Sequence, residues 1–439
     1  MRHKIKTAIL LGGDIFCLYA ALFFSLALRS EGRIWTSQIQ NHIIPFGINF
    51  ALWLMIFGAF GLYELKSAKT SKNFALRLGQ ATFFNILVSS SFFYFFPFFE
   101  IEPRRNLLAT AALAALFIYL WRYVLAFIFI KTPPARILFL GKNAEIAGVY
   151  DYLAKNPELG QRPLGFIDLE KKDLGKTLQR TKANTIVITN EIKGNETLVK
   201  ALFQAIPLGI AIVEFDRYFE MLMGKVPLTL IKEVWFLENL VGIKKQIYEF
   251  FKRMLDIFIA ILASIPTLLL LPCIAIAIKL DSRGPTFFRQ KRVGRGGKVF
   301  KLWKFRSMVK DAEYLGGLKG EGYDVRLTRI GTVLRKSYLD ELPQIINVLR
   351  GEMSFVGPRP ERPEYVEELK KIVPFYEMRL LVQPGITGWA QVNMEDDASV
   401  EDAPEKMQYD LYYVKNRSFI LDLLIALRTL SAILRRQGR

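Results

Sequence analysis

Five stretches of this chain stay apolar for longer than a globular core element needs. Four open it, roughly 7–28, 42–64, 75–99 and 106–130, each long enough for a bilayer-spanning helix of about 20 residues. The first is too long for a signal-peptide core and lacks a small-residue cleavage pattern. Basic residues precede the first (Arg2, Lys4, Lys6), separate the second from the third (Lys66, Lys69, Lys72) and follow the fourth (Lys131, Arg136). This asymmetry predicts a cytoplasmic N-terminus and a return to that side after four crossings; Arg104 and Arg105 run against it. The fifth stretch, 254–280, is "MLDIFIAILASIPTLLLLPCIAIAIKL". As a straight helix it would reach roughly 37 Å, enough to cross. Yet Pro266 and Pro272 each remove a backbone donor, and both flanks are basic: Lys244, Lys245, Lys252 and Arg253 before, Lys279, Arg283, Arg289, Lys291 and Arg292 after. Crossing would put one basic flank on the wrong side. A re-entrant helix, which dips in, breaks and returns, satisfies both.

Between the apolar regions, 131–245 reads as a Rossmann-like α/β module. "ARILFLG", "ANTIVITN" and "GIAIVEF" are buried strands, separated by amphipathic segments such as "AEIAGVYDYLAKNP", and that alternation implies a parallel sheet. "GKNAEIAG" after the first strand lacks the glycine spacing of a dinucleotide fingerprint, so a structural or regulatory module stands beside nucleotide binding. The net charge of +19, from 60 basic and 41 acidic residues, calls for an anionic partner. Histidine is nearly absent: only His3 and His42 exist, outside any motif. That excludes histidine-based triads and histidine-rich metal sites. Cys17 and Cys273 lie far apart in apolar runs and build no disulfide framework or zinc site.

The reactive chemistry lies after residue 280. "RQKRVGRGGKVFKLWKFRSMVK", 289–310, carries nine basic residues without one acid. It suits anionic lipid or a diphosphate substrate approached through Gly294, Gly296 and Gly297; a membrane dip beside it disfavours nucleic acid. In "SYLDELPQ" Asp340 and Glu341 stand together before Pro343. Acids at a helix start are ordinarily caps. Here Arg335 precedes them, and Arg359 follows between Pro358 and Pro360. Prolines fix the backbone around an arginine that meets phosphate oxygens, or form a rigid turn. Two acids between two such arginines suit metal-assisted phosphoryl transfer, with Mg²⁺ on one carboxylate and on substrate phosphates.

"FKRMLDI", "GPTFFRQKRVGRGGKVFKLWKFRSM", "LRKSYLDELPQIINVLRGEMSFVGPRPERPEYV", "VQPGITGWAQVN" and "YDLYYVKNRSFILDL" resemble, in order, the bacterial sugar transferase family, the monotopic phosphoglycosyl transferases. The likeness covers about 250 to 436, and the layout before it resembles the large members. It implies a membrane protein of α and α/β parts. Residues 1–130 form a four-helix transmembrane bundle, 131–245 the α/β module, and 246–439 an α-rich catalytic domain with the re-entrant helix 254–280 and interfacial helices. "FILDLLIALRTLSAILRR", apolar with a basic end, suits such an interface. The family breaks its re-entrant helix at a Ser-Pro pair, whereas Ile265 separates Ser264 from Pro266 here.

The resemblance also implies the reaction: transfer of a hexose-1-phosphate from a UDP-sugar to undecaprenyl phosphate with release of UMP, the first membrane step of exopolysaccharide, capsule or O-antigen assembly. Asp340 and Glu341 fall on the family's Asp-Glu dyad, with Glu341 the Mg²⁺ ligand and Asp340 the nucleophile of a ping-pong sequence. Arg335 and Arg359 fall on its phosphate-binding arginines, and Lys304 and Arg306 on its basic active-site motif. The expected setting is the cytoplasmic face of a bacterial inner membrane, with anionic lipid as a further partner, no nucleic acid, and a homodimer as the assembly. A membrane-anchored receptor or scaffold and a transporter are the competing classes. The acid–arginine constellation argues against the first, and the small number of spans against the second.

Overall fold

The computed structural model describes residues 2–29, 36–63, 72–95, 103–131, 134–141, 143–167, 182–189, 192, 195–205, 207, 209–240, 245–309, 312, 326–394 and 401–434. Lys66, Lys69, Lys244 and Lys310 lie outside these residues. Two compact units divide between Phe219 and Glu220.

The first unit opens with helices α1 (Arg2–Arg29), α2 (Thr36–Ala59), α3 (Lys72–Phe95) and α4 (Pro103–Lys131). They bind one another through buried polar groups as well as apolar packing. Arg122 Nη2 lies 2.6 Å from Asp14 Oδ2, with both side chains 1% exposed. Trp53 donates to Ser89 at 2.7 Å, and the Ser25 and Thr110 hydroxyls meet at 2.8 Å. Gly13 admits the Trp121 ring where any Cβ would collide with it. By length and composition, four described helical segments suffice to cross a membrane: Ile9–Leu28, Asn41–Gly58, Asn106–Leu125 and Gln246–Asp281. The protein is thus a membrane protein. The third apolar stretch of the sequence is helical, as α3, but is not among these four. Gln80, Thr82, Asn85 and Ser89 to Ser91 dilute its hydropathy.

After α4 come β1 (Ala135–Leu140), α5 (Ala144–Lys155), β2 (Gln161–Ile167), β3 (Thr185–Ile188), α6 (Glu196–Ala205) and β4 (Ala211–Glu214). The strands form one parallel sheet in the order β2-β1-β3-β4. Three are the strands read from the sequence. The fourth, β2, contains Pro163 and Gly165, which disguise it. An edge position tolerates that proline because one face of the ladder needs no donor there.

The second unit holds α7 (Glu233–Asn239), the long α8 (Gln246–Asp281), the antiparallel pair β5 (Phe287–Val293) and β6 (Val299–Phe305), α9 (Arg329–Lys336), α10 (Ile345–Leu349), β7 (Ser354–Val356), α11 (Pro363–Ile372), β8 (Gly385–Thr387), α12 (Ala403–Asn416) and α13 (Phe419–Leu434). Residues 220–240 fall within this unit. Trp235, Phe236 and Val226 share a core with Tyr376, Met407 and Leu411.

Helix α8 runs unbroken through Pro266 and Pro272. Ser264 Oγ and Thr267 Oγ1 donate back to the Ala260 and Ala263 carbonyls, both at 2.7 Å, a pattern that bends helices. One stripe of α8 is packed. Ala260 joins Phe300, Leu302 and Val348, while Ile274 and Ile278 join Phe305 and Leu334. Polar ties reinforce both ends: Asp256 Oδ1 accepts from Phe355 N, and Asp281 Oδ2 from Ile330 N at 2.8 Å. Away from the stripe, Ile265, Leu268 and Leu269 are exposed.

Candidate active site

The β5–β6 hairpin pairs Phe288 with Lys304, next to the turn that carries the acids. Fully buried Asn347 ties β6 to α10: its Oδ1 accepts from Trp303 N at 3.1 Å and its Nδ2 donates to Lys301 O at 2.8 Å. Sequence reasoning gave Asn347 no role, because its partners on β6 lie more than 40 residues away. On the other side, Thr328 caps α9 by accepting from Gly331 N at 2.9 Å. Gly331 touches the Ser307 carbonyl where a Cβ cannot fit. That contact carries Arg335 to Ser307, with Nε 3.2 Å from the hydroxyl.

Asp340 and Glu341 do not precede a helix; they lie inside a 3₁₀ turn, Leu339–Gln344, with α10 beginning at Ile345. The turn starts at Tyr338, whose φ of 57° is a left-handed conformation costly for a tyrosine. Such strain gathers at functional sites, where the surroundings hold it. It delivers two adjacent acids into one buried place.

Lys304, Asp340, Glu341 and Arg359 converge there. Lys304 Nζ lies 2.6 Å from Glu341 Oε1 and 3.9 Å from Asp340 Oδ2. Arg359 Nη2 reaches the same Glu341 oxygen at 3.3 Å. The two acids are thereby driven apart. Burial raises the Glu341 carboxyl, but Lys304 and Arg359 outweigh it and hold the group at about 2. Burial pushes the Asp340 carboxyl up, Lys304 opposes it, and the Glu341 charge adds to the rise. Arg335 also acts on Asp340, pulling its carboxyl down. Lys304 is lowered by burial and, less, by Arg359, while Glu341 supports its charge.

Arg306 goes elsewhere. Its guanidinium caps the C-terminus of α8, donating to Ser282 O at 2.6 Å, Ser282 Oγ at 2.8 Å, Arg283 O at 3.1 Å and Ile278 O at 3.3 Å. Gly284, with φ of 133°, leaves the space that this guanidinium fills. Of the six residues singled out from sequence, four therefore meet, Arg335 stands within electrostatic range, and Arg306 serves the helix.

Among the described residues no group of three or more His, Cys, Asp or Glu could hold a metal ion. The site does fit the way Mg²⁺ is commonly held, by one or two carboxylates together with substrate phosphates. Glu341, which stays ionised, is the suited donor.

The Bacterial sugar transferase family model matches residues 247–436. A UDP-N-acetylgalactosamine-undecaprenyl-phosphate N-acetylgalactosaminephosphotransferase of Aeromonas hydrophila is 41% identical over 227 residues, 51% of this chain and 52% of that protein. A UDP-glucose:undecaprenyl-phosphate glucose-1-phosphate transferase of Xanthomonas campestris is 32% identical over 329 residues, 68% of this chain and 66% of that one. A protein of the same name from Caulobacter vibrioides is 40% identical over 185 residues, 42% of this chain and 69% of the relative. The chain thus spans about half to two thirds of the length of these relatives.

Proposed function

This chain belongs to the bacterial sugar transferase family, and from that premise we propose that it moves a sugar-1-phosphate from a UDP-sugar to undecaprenyl phosphate, releasing UMP. The observation that carries the reading is the pair of neighbouring buried acids beside Lys304 and Arg359: those two cations hold Glu341 ionised, while burial pushes the Asp340 carboxyl up against their pull. Glu341 keeps its charge and anchors the cations that meet the donor's diphosphate. Asp340 is the nucleophile. Its carboxylate oxygen bonds to the phosphorus that bears the sugar, and the bond to UMP breaks with the electron pair leaving on UMP. An oxygen of the lipid phosphate then bonds to that phosphorus, and the Asp340 carboxylate departs with its electrons. Arg359 and Arg335 hold phosphoryl oxygens during both displacements, where charge stabilisation and alignment supply most of the rate. Mg²⁺ bound at Glu341 would neutralise diphosphate charge. The relatives are named for glucose and N-acetylgalactosamine, and both donors are open here.

A soluble donor and a lipid acceptor meet at a membrane surface, and the reading places this site at the cytoplasmic face of the inner membrane. The stripe on α8 supports a helix that dips without crossing. Asp256 and Asp281 bind the same compact unit. Twenty-five residues of straight helix rise about 37 Å. A perpendicular crossing would therefore drag that charged unit through the whole hydrocarbon core, about 30 Å thick.

The test is purified protein with undecaprenyl phosphate and either UDP-glucose or UDP-N-acetylgalactosamine. UMP release without the lipid, in an amount matching the enzyme, supports the two-step sequence. Asp340→Asn should release none; an Asp340→Asn protein that still builds the sugar-phosphate adduct would remove Asp340 from the role.

A further inference from the structure

Arg359 reaches Glu341 from the loop Gly357 to Glu361, and four successive carbonyls of that loop are taken by donors from distant parts of the chain. Pro358 O accepts from Gly385 N at 3.0 Å and Glu361 O from Val293 N at 2.9 Å. Pro360 O accepts from Arg292 Nη1 at 2.9 Å. Arg359 O accepts from Arg379 Nη2 at 2.8 Å. The backbone behind the loop is equally tight: a Cβ on Gly357 would strike Gln383 O, and one on Gly385 would strike Gly357 N.

Arg379 is the centre of this arrangement. It is 4% exposed, and Asp410, 1% exposed, meets the same Nη2 at 2.8 Å. Its Nη1 donates to the Tyr376 hydroxyl at 2.6 Å. Both terminal nitrogens of this guanidinium are taken by protein groups, and one of them holds the carbonyl of the very residue whose side chain faces the two acids. Glu361 extends the network. Its Oε1 takes Lys406 at 2.6 Å, and its Oε2 faces Arg292 at 3.7 Å.

We infer that Arg379, with Arg292 as a second arm, is a positioning residue for donor binding: it fixes the Arg359 main chain so that the Arg359 guanidinium stands ready for the diphosphate. Prolines 358 and 360 restrict φ on either side of Arg359 but leave the loop free to tilt as a block. Together with the main-chain bonds at Pro358 and Glu361, buried Arg379 and partly exposed Arg292 remove that tilt. Reactive groups need placement within a fraction of an ångström, which makes a clamp on the carbonyl a device for affinity rather than for chemistry. The inference rests on the reading that Arg359 meets the donor.

The experiment is a double-mutant cycle read by UMP release, with UDP-glucose and UDP-N-acetylgalactosamine as donors. Arg359→Ala alone should lower kcat/KM for the donor by about 10- to 100-fold, the range for a lost charge-assisted hydrogen bond. Arg379→Gln alone should lower it about tenfold, mostly through KM. In the Arg359→Ala background, however, it should change kcat/KM less than about twofold, because nothing remains to be positioned. Arg292→Gln should follow the same non-additive pattern, and it carries the test if Arg379→Gln does not fold. Full additivity of both arginine changes with Arg359→Ala would overturn the positioning role and leave a merely structural one. An Arg359→Ala protein with unchanged KM would instead overturn the donor-binding reading, as would a wild-type protein that releases UMP from neither donor, and the inference would fall with it.

Discussion

Replacing Lys304 by methionine keeps the length of the side chain and removes its charge from between the two acids. At the observed 3.9 Å, its attraction for Asp340 is about 4 kcal/mol at an effective dielectric of about 20. Lys304 is 20% exposed and Asp340 9%, so we take about half of this as surviving solvent screening, about 2 kcal/mol. That corresponds to roughly a thirtyfold loss in the first displacement. The loss should depend on pH in a definite direction. Burial already raises the Asp340 carboxyl, and without Lys304 it rises further. As the proposed nucleophile, Asp340 reacts only when ionised, above that value, so activity should recover as pH is raised. UMP release by Lys304→Met, measured from about pH 6 to about pH 9, should therefore show a deficit that narrows toward the alkaline end. A deficit equal at every pH would leave Lys304 a pure substrate contact. Activity within threefold of wild type throughout would refute its action on Asp340 altogether.

Arg306→Met should lower thermal stability by several degrees in detergent while leaving the donor KM within about twofold, since its four acceptors are all at the end of α8; a selective rise in KM would return Arg306 to the site. Glu361 is pushed up by burial but held below the usual carboxylate range by Lys406, Arg379 and Arg292. Its folded pKa is depressed, so its contribution is complete above about pH 4.5 and fades as pH falls through the folded value. Glu361→Gln should accordingly make acid unfolding less steep below about pH 4.5, and an unchanged acid limb would show that the pair is worthless to stability. Single cysteines at Gln246 and Arg283 should label from the same side of sealed vesicles, whereas opposite labelling would make α8 a crossing helix.

The residues that meet at the candidate site were readable because their motifs are local: Asp340 and Glu341 stand together, and the prolines around Arg359 announce a fixed backbone. What holds them was not. Arg379, Asp410, Lys406 and Asn347 are charged or polar residues in segments with no reactive look, and the partners that tie them to the site lie 20 to 46 residues away. Nothing in a linear pattern distinguishes a buried guanidinium from a solvated one. Arg306 shows the converse. It sits in the same basic motif as Lys304, but just past the end of β6, and the guanidinium turns to the end of α8. The edge strand β2 escaped for a third reason, since periodicity cannot show a strand interrupted by Pro163 and Gly165. The 3₁₀ turn around the acids depends on the left-handed Tyr338, a conformation that no propensity assigns to tyrosine.

The ion pair between Asp14 and Arg122 bears on how the chain is made. The partners are 108 residues apart, so at 5–20 residues per second synthesis separates them by roughly 5 to 20 s. During that interval the first helix must reside in lipid with an unmatched carboxyl, at a cost of about 2.5–3.5 kcal/mol on the insertion scale. The first helix is therefore a weak inserter until the fourth arrives, and the two are completed as a pair rather than one after the other. An Arg122→Leu protein would never receive that neutralising partner. Its defect belongs to assembly, visible as lost first-helix insertion and faster degradation of newly made chains, while UMP release by the molecules that do mature stays intact.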